Sequence, residues 1–388
     1  VGRFFLLAAS FGVWNLGHST YTVRMTAREA LIALNMLPKI GPVRVRRLMD
    51  SFGSAESILS ASVTQLSGVQ GIGPETAEII HGWEERIDLA TELREVEERG
   101  LNIVTQDDAE FPDALRHSYD PPLLLYVWGE LKDVDRHAIA IVGSRKTTHY
   151  GTQTARQFAF QLASSGMTVV SGLARGIDTH AHEGAVAAKG RTIAVIGSGL
   201  GQIYPPENMA LAEKIASGNG AIVSEFPLNM PPSKKTFPMR NRIVAAWSQA
   251  VLVVECPEWS GARITANLAG ELGKPIYAVP GQIDRPSSAG CHALIREGAA
   301  LVTSGQDILD DISVLPLQEN TDAQQQDTRP PLGPDEQKVV DAMENGASLV
   351  DELLLATTLP LPDINATLLK LEIQGRVQQL PGSRFALK

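Results

Sequence analysis

Residues 137–178 read HAIAIVGSRKTTHYGTQTARQFAFQLASSGMTVVSGLARGID. Two short apolar runs, Ala138–Val142 and Thr168–Ser171, end at glycine-containing turns, and the stretch between them is long enough for a helix. Two buried strands joined by a helix form the repeating unit of a parallel sheet that is covered on both faces. The stretch therefore predicts an α/β protein with a Rossmann-like parallel sheet and helices on both faces.

Five more apolar runs follow at similar spacing: Thr192–Ile196, Ala221–Ser224, Val251–Glu255, Ile276–Val279 and Ala300–Thr303. We expect the Rossmann-like domain to occupy residues 106–315. Because right-handed crossovers bring the carboxyl ends of parallel strands to one edge, ligands bind to the loops at that edge.

A small all-α domain of the SAM-like or helix-hairpin-helix type is predicted at residues 25–105. Two similar segments, Leu37–Pro42 and Val69–Pro74, each place a glycine-proline turn before a helical pattern. Such a turn exposes backbone N–H groups that suit a phosphate. Acidic residues surround the second copy, so the pattern fits a DNA contact or plain helix packing.

The first 24 residues contain an apolar run, Phe4–Ala9, but the polar residues after it argue against a membrane span. Only Arg3 supplies the positive charge expected of a signal peptide. Directly after Met25, Thr26 and Glu29 have the spacing of a capping box that opens a helix. We expect the native protein to begin at Met25 and residues 1–24 to be an upstream extension.

The C-terminal part is predicted to be a separate small domain. Residues 316–333, rich in glutamine and proline, are expected to form a linker. Residues 334–388 predict three helices and a hairpin, which favours a winged-helix-like domain; the expected elements are Asp335–Glu344, Leu349–Ala356, Pro362–Gln374 and Gly375–Leu387. This domain has more acidic than basic residues, so we expect it to contact protein, or DNA only weakly.

The charge distribution points to a local nucleic-acid site. The chain carries a net charge of −10, which argues against a protein coated in basic charge. Residues 226–254 nevertheless contain no acidic residue, while they hold cations, an aromatic ring and an amide: Lys234, Lys235, Phe237, Arg240, Asn241 and Arg242. Cations bind phosphates and a ring stacks on a base, so this mixture is typical of a single-stranded nucleic-acid site. A solvated basic loop is the alternative.

The loop after the first predicted strand of the sheet contains Gly143, Ser144, Arg145 and Lys146. A dinucleotide-binding loop needs two further glycines and an acidic residue after the second strand, and this sequence has neither. The pattern therefore disfavours NAD or FAD, and no cofactor is expected. Arg145 can hold a phosphate through two hydrogen bonds, or it can be a structural arginine that fixes the loop.

Other polar residues near the predicted edge have two interpretations each. Asp178, His180 and His182 suggest a metal site, because Asp178 and His182 lie four residues apart at a helix start, but Asp178 also suits a helix N-terminus, and a third or fourth ligand is not evident. Glu225 and Glu255 fit acid-base catalysts or counter-charges for arginines; the second is favoured because no nucleophile accompanies them. Ser260 and Thr265, at the start of a predicted helix, suit phosphate binding. Ser260 can alternatively be only the cap of that helix. The two cysteines have no paired spacing, which indicates a reducing cytoplasm and no structural zinc.

Four motifs together resemble the DprA (Smf) family of DNA-processing proteins: Gly143–Arg145, Ser171–Asp178, Phe237–Ile243 and Gly290–Ile295. The resemblance covers about residues 110–312. It implies a cytoplasmic protein that is not an enzyme, that binds and protects incoming single-stranded DNA, and that helps to load the RecA recombinase during natural transformation. It also implies a homodimer formed through the Rossmann-like domain, and no membrane partner.

The resemblance assigns roles by motif. Arg145 and Lys235 would hold phosphates, and Phe237 would stack on a base. The full predicted DNA-binding set is Gly143, Ser144, Arg145, Lys146, Arg175, Lys234, Lys235, Phe237, Arg240, Asn241, Arg242, Ser260 and Thr265. Arg263 stands where the family usually has an apolar residue, and it is expected either to extend the groove or to pair with Glu255.

Two other classes of function are considered. Rossmann-like enzymes of the lysine-decarboxylase-like (phosphoribohydrolase) group process nucleotides, and Glu225, Glu255, Arg240 and Thr265 can be assigned to such a site. Their Pro-Gly-Gly-x-Gly-Thr signature is absent here. The third class is a structural partner protein that interacts through its acidic C-terminal part.

Overall fold

The structure, a computed structural model, describes residues 25–314, 332–344, 349–357, 359–373, 376–380 and 384–387. The chain forms two compact units, one that ends at Leu315 and one that begins at Pro316. The expected extension at residues 1–24 and nearly all of the expected linker at 316–333 lie outside the described residues. No helix within the described ranges is both long and apolar enough to cross a membrane.

The α-helices of the first unit are α1 (Ala27–Met36), α2 (Pro42–Phe52), α3 (Ala55–Ser60), α4 (Val63–Ser67), α5 (Pro74–His81), α6 (Leu89–Glu98), α7 (Asp113–Arg116), α8 (His149–Ser164), α9 (Ile177–Ala187), α10 (Met209–Lys214), α11 (Thr236–Trp247), α12 (Gly261–Glu271), α13 (Ala289–Arg296) and α14 (Gly305–Val314). Its strands are β1 (Asn102–Thr105), β2 (Leu124–Gly129), β3 (Ala138–Val142), β4 (Thr168–Ser171), β5 (Thr192–Val195), β6 (Gly220–Ser224), β7 (Ala250–Val253), β8 (Ile276–Ala278) and β9 (Ala300–Leu301). The second unit contains α15 (Pro334–Glu344), α16 (Val350–Thr357), α17 (Leu361–Ile373), β10 (Val377–Leu380) and β11 (Arg384–Leu387).

The N-terminal helices begin as the sequence predicts. Thr26 and Glu29 form a reciprocal capping box at the start of α1. Pro42 and Pro74 are the first residues of α2 and α5, where proline fits because the first turn of a helix needs no backbone N–H donor. Apolar residues of these helices share one core with Leu124 and Tyr126 of β2, so the helices pack against the sheet.

The nine strands of the first unit form one sheet in the order β1-β2-β6-β5-β4-β3-β7-β8-β9. From β6 to β9 all neighbours are parallel, as predicted. The sequence did not predict β1 and β2, which add two antiparallel strands at the β6 edge. Short apolar runs do not distinguish strand from helix by periodicity, and β1 has only four residues.

Helices cover both faces of the sheet, which confirms the predicted fold class. Along β3, Ala138, Ala140 and Val142 belong to a core shared with α11, α12 and α13. The alternate residues Ile139 and Ile141 belong to the opposite core, shared with α8, α9 and α14. This alternation follows from the two-residue period of a strand.

The second unit has the three helices and the hairpin that the sequence predicts. Strands β10 and β11 pair antiparallel, from Val377 opposite Leu387 to Leu380 opposite Arg384. Side chains from all three helices form its core, namely Val339, Leu353, Ile364, Leu368 and Leu371. Three helices and a β-hairpin form a winged-helix arrangement.

Candidate nucleic-acid interface

A groove lies where the order of the parallel strands reverses. Strand β3 has parallel neighbours on both sides, β4 and β7, so the chain leaves β3 toward one side first and returns to the other side later. Ligands of doubly wound sheets bind at this switch point, beyond the carboxyl ends of the strands. The groove has a volume of ≈ 510 Å³ and is lined by loops after β3, β4 and β7 and by the start of α11.

Ten of the thirteen predicted DNA-binding residues line this groove: Gly143, Ser144, Arg145, Lys146, Lys234, Phe237, Arg240, Asn241, Ser260 and Thr265. Arg175, Lys235 and Arg242 are not among the lining residues. The lining includes four cationic residues and one carboxylate, that of Asp178, although the whole chain is acidic. The structure therefore brings together residues that are up to 122 positions apart in the sequence (143 to 265).

The loop after β3 is held rigidly. The backbone N–H of Ser144 donates to the Glu255 carbonyl at 2.6 Å, and Ser144 Oγ accepts from the N–H of Lys146 at 3.1 Å. Gly176, at φ +79°, lies so close that a Cβ there would be 2.2 Å from the Ser144 carbonyl oxygen. Only glycine fits this contact, and the close approach fixes the backbone that carries Arg145.

Arg145 and Phe237 form the central pair of the groove. The guanidinium carbon of Arg145 lies 4.8 Å from the centroid of the Phe237 ring, a cation–π geometry. The ring packs against Gly197, where a Cβ would be 2.8 Å from Phe237 Cδ1. Tyr204, which the sequence analysis did not single out, lies 5.9 Å from the Phe237 ring at an interplanar angle of 46°.

The start of α11 separates two neighbouring lysines. Ser233 Oγ accepts the backbone N–H of Thr236 at 3.2 Å and that of Lys235 at 3.3 Å, which fixes the first turn. Lys234 then lines the groove, while Lys235 is exposed outside its lining. Within the described part of the chain, Arg145, Lys146, Lys234 and Lys235 form no ion pair.

Arg240 is a buried residue at the base of the groove, with 3% of its surface exposed. It donates to the Val195 carbonyl and lies against Gly172, where a side chain would collide with the guanidinium. Burial lowers the pKa of Arg240 to about 10, although nearby Asp178 opposes this. Burial also raises the pKa of Asp178, and Arg240 counteracts that shift. The two groups therefore compensate each other's charge in the protein interior.

Arg242 points to a different cluster. Its guanidinium pairs with the buried carboxylate of Glu225 and, at 3.4 Å, with that of Asp120. Burial raises the pKa of Glu225 to about 7, with Arg242 opposing the shift and Asp120 adding to it. The expectation that Glu225 is a counter-charge for an arginine agrees with this geometry.

Three further predicted residues have structural partners. Arg175 pairs with Glu207, and its guanidinium carbon lies 5.6 Å from the Tyr204 ring centroid. Ser260 caps α12 by accepting the N–H of Arg263 at 3.5 Å, and it still lines the groove. Arg263 itself pairs with Glu297 at 2.7 Å and not with Glu255.

The side chains considered for catalysis or metal binding form hydrogen bonds with other residues of the protein. Glu255 Oε2 accepts from Thr147 Oγ1 at 2.8 Å and from the Thr148 N–H at 2.9 Å. His182 is fully buried, and both ring nitrogens have protein partners, Thr192 Oγ1 at 2.6 Å and the Leu173 N–H at 3.3 Å. Across the described ranges, no group of three or more His, Cys, Asp or Glu residues is placed to hold a metal ion.

Comparison with known proteins places this groove in a family context. The family model for DNA recombination-mediator protein A matches residues 102–313, which contain the whole sheet and every groove residue. Residues 31–81 match a SAM-like helix-hairpin-helix tandem, and residues 323–383 match the DprA winged helix domain.

Individual proteins agree with the family models. Protein Smf of Synechocystis sp. is 34% identical over 387 residues, which cover 91% of this chain and 97% of that protein. The X-ray structure of DNA processing protein A from Streptococcus pneumoniae has a TM-score of 0.64 at 32% identity, covering 73% of this chain and 97% of that one.

The structure of DNA processing protein A from Helicobacter pylori, described for its single-stranded DNA binding mode, has a TM-score of 0.50 at 32% identity and covers 55% of this chain and 97% of that one. Since both the family model and a relative of nearly equal length match, the chain belongs to the DprA/Smf family of DNA recombination mediators.

Proposed function

We propose that this chain binds single-stranded DNA in the groove at the switch point of the sheet. The observation that carries the proposal is the contact between Arg145 and Phe237 in a groove whose other exposed cations, Lys146 and Lys234, form no ion pair among the described residues. Unpaired cations attract the phosphates of the backbone, and the ring provides a stacking surface for a base.

The geometry favours an unpaired strand over a duplex. A base can stack on Phe237 only if one of its faces is free, whereas bases in a duplex are covered on both faces by their neighbours. Asn241 and Ser260 add polar groups on the same lining. The Helicobacter pylori relative, described for its single-stranded DNA binding mode, supports this choice.

We further propose that binding protects incoming DNA and helps to load RecA during natural transformation, in the cytoplasm. The support is membership of a family described as recombination mediators. RecA loading is tested by measuring RecA filament formation on single strands precoated with a single-strand-binding protein. We expect acceleration by the wild type and none by Phe237→Ala; equal acceleration by both would contradict the proposal.

We propose that the chain acts by binding and not by catalysis. The two carboxylates that a nucleotide hydrolase would need are engaged elsewhere, Glu225 by Arg242 and Glu255 by two threonines. Incubation with nucleoside monophosphates should therefore release no free base. If the wild type releases free base and the Glu255→Gln variant does not, the enzymatic alternative is favoured.

A homodimer formed through the Rossmann-like domain is part of the proposal. The edge strand β9 leaves Leu301 52% exposed, and Ile283, on the loop after the neighbouring strand β8, is 95% exposed. A second copy would cover such apolar side chains. Light scattering of the wild type and of Leu301→Glu tests the dimer, since the charged variant should be monomeric.

We propose that the winged-helix unit contributes little to DNA binding. Two of its lysines, Lys338 and Lys370, are paired with Asp335 and Glu336, which reduces their attraction for phosphates. Deletion of residues 331–388 should leave the affinity for single strands nearly unchanged. A large loss of affinity would show that this unit binds DNA.

The main test compares strands of equal length and sequence as single and double strands, by fluorescence anisotropy at one salt concentration. We expect tighter binding of the single strand, and a loss of that preference in Phe237→Ala. Equal affinities of the wild type for both forms would overturn the proposed site.

A further inference from the structure

Trp259 stands out among the tryptophans that the structure describes. Its side chain is 90% exposed, whereas Trp247 is 1% exposed, and Trp83 and Trp128 pack against the core of the helical domain. Isolated exposed aliphatic residues are common, but an indole usually buries most of its large apolar surface. The exposure of Trp259 therefore indicates a surface that a ligand can cover.

The position of Trp259 links it to the groove. It lies on the loop between β7 and α12, and the groove is lined by Pro257 before it and Ser260 after it. The loop is anchored at its start, because the Cys256 N–H donates to the Ser287 carbonyl at 2.8 Å. Trp259 is thus held at the rim on the β7 side.

Phe237 marks the other side of the groove. Its ring packs against Gly197, which follows β5. Strands β4 and β3 lie between β5 and β7, so three strand spacings, about 14 Å in total, separate the two sides. Stacked nucleotides rise about 3.4 Å each, and this width therefore spans about four of them.

The charge around Trp259 determines which part of a DNA strand the indole can contact. Its neighbour Glu258 is exposed and negative, which disfavours a phosphate at this point. The uncharged face of a base fits the indole better, because base–aromatic stacking does not need a cation.

We propose that Trp259 is a second stacking platform, which takes an unpaired base of the same strand a few nucleotides away from the base on Phe237. The inference rests on the proposed function and adds a contact specific to the β7 rim. The proposed ligand of Trp259 is DNA. The tests below would also reveal a second copy of the chain or another protein that covers this side chain instead.

The first test measures how the effect of Trp259→Ala depends on strand length. For a twelve-nucleotide oligothymidylate we expect about a fivefold or greater loss of affinity. For a thymidine dinucleotide, measured by competition, we expect no change, because it is too short to reach from Phe237 to Trp259. Trp259→Phe should keep most of the affinity, and Tyr119→Ala, which removes an aromatic ring 88% exposed and outside the groove lining, should change nothing.

The second test uses the emission of Trp259, identified as the difference between the wild type and Trp259→Phe. We expect the oligothymidylate to quench it by stacking. The inference is overturned if Trp259→Ala leaves the affinity for the long strand unchanged, if it weakens both lengths equally, or if raising the protein concentration without DNA changes the emission.

The two proposals fail in different ways. If the wild type binds no single strand, or if Phe237→Ala binds as tightly as the wild type, the proposed function is wrong. If Phe237→Ala weakens binding and Trp259→Ala does not, only the second platform is wrong.

Discussion

Arg145 and Arg242 both lie in segments that the sequence marks as phosphate-binding, yet they have opposite surroundings. Arg145 lies over Phe237 in an open groove and forms no ion pair within the described ranges. Arg242 has only 18% of its side chain exposed and is paired with two carboxylates. A cation acts on a ligand only where its charge is not already compensated, and this depends on tertiary contacts.

The acids that compensate Arg242 come from outside the acid-free window of the sequence. Glu225 immediately precedes residues 226–254, and Asp120 is 122 positions before Arg242. The absence of acids along the sequence therefore did not reveal the neutralised cluster. The predictions below test this difference between an arginine that we propose to bind DNA and a structural arginine.

The largest effect is expected for Arg242→Met. Removing the cation leaves Glu225 and Asp120 close together without a counter-charge, which should lower the free energy of unfolding by about 3–5 kcal/mol. Urea denaturation measures the change, and the double variant Arg242→Met/Glu225→Gln should recover part of it. A normally stable variant with weakened DNA binding would instead make Arg242 a DNA ligand.

Phe237→Ala should act on binding and not on folding. Loss of the stacking surface should weaken single-strand binding by about 1–3 kcal/mol, while Phe237→Tyr should preserve it. Phe160→Ala, which removes a ring 47% exposed on α8, is the matched control. Unchanged affinity in a titration of Phe237→Ala would show that the ring does not contact a base.

The buried His182, close to Arg240, should make the free energy of unfolding depend on pH. Burial, reinforced by Arg240, lowers its pKa to about 3, from an ordinary value of about 6.5 in the unfolded chain. Because the pKa of His182 is lower in the folded protein than in the unfolded chain, protons bind preferentially to the unfolded chain as the pH falls. The resulting stability is fully present above the unfolded pKa and is lost as the pH falls below it. From pH 7 to pH 5 we expect a loss of about 2 kcal/mol.

The measurement is urea denaturation at both pH values. His182→Gln, although less stable, should lose this part of the pH dependence because it has no titrating group. An identical loss between pH 7 and pH 5 in the wild type and the variant would contradict the buried, neutral histidine.

The smallest effect is expected at Arg175. Glu207 already compensates this exposed arginine, so Arg175→Gln should change single-strand affinity less than about fivefold. Glu207→Gln releases the cation and should strengthen binding slightly. Weaker binding by Glu207→Gln would contradict this assignment.

The sequence predicted the parallel part of the sheet and the edge at which the groove lies, because both follow from local patterns. The strands β3 to β9 are continuous apolar runs between helices, and loops after parallel strands must meet at one edge. Strands β1 and β2 were missed because an apolar run by itself does not distinguish a strand from a buried helix segment, and these two precede the regular alternation of strands and helices that identified the others.

Side-chain pairing could not be predicted in the same way. Whether Arg242 meets Asp120, or Arg263 meets Glu297, depends on how separate elements pack. The contribution of Tyr204 beside Phe237 also depends on a loop far away in the sequence. The composition of a segment thus shows which residue types it offers but not which of its cations remain without a counter-charge.

The most direct test of the groove is the salt dependence of single-strand binding by the wild type and by Arg145→Gln. Three exposed cations line the groove and form no ion pair among the described residues, Arg145, Lys146 and Lys234. Each phosphate contact contributes about −0.7 to the slope of log affinity against log salt for single strands, so we expect about −2 for the wild type and about −1.4 for the variant. Equal slopes for the two proteins would contradict a phosphate contact by Arg145 and, with it, the proposed site.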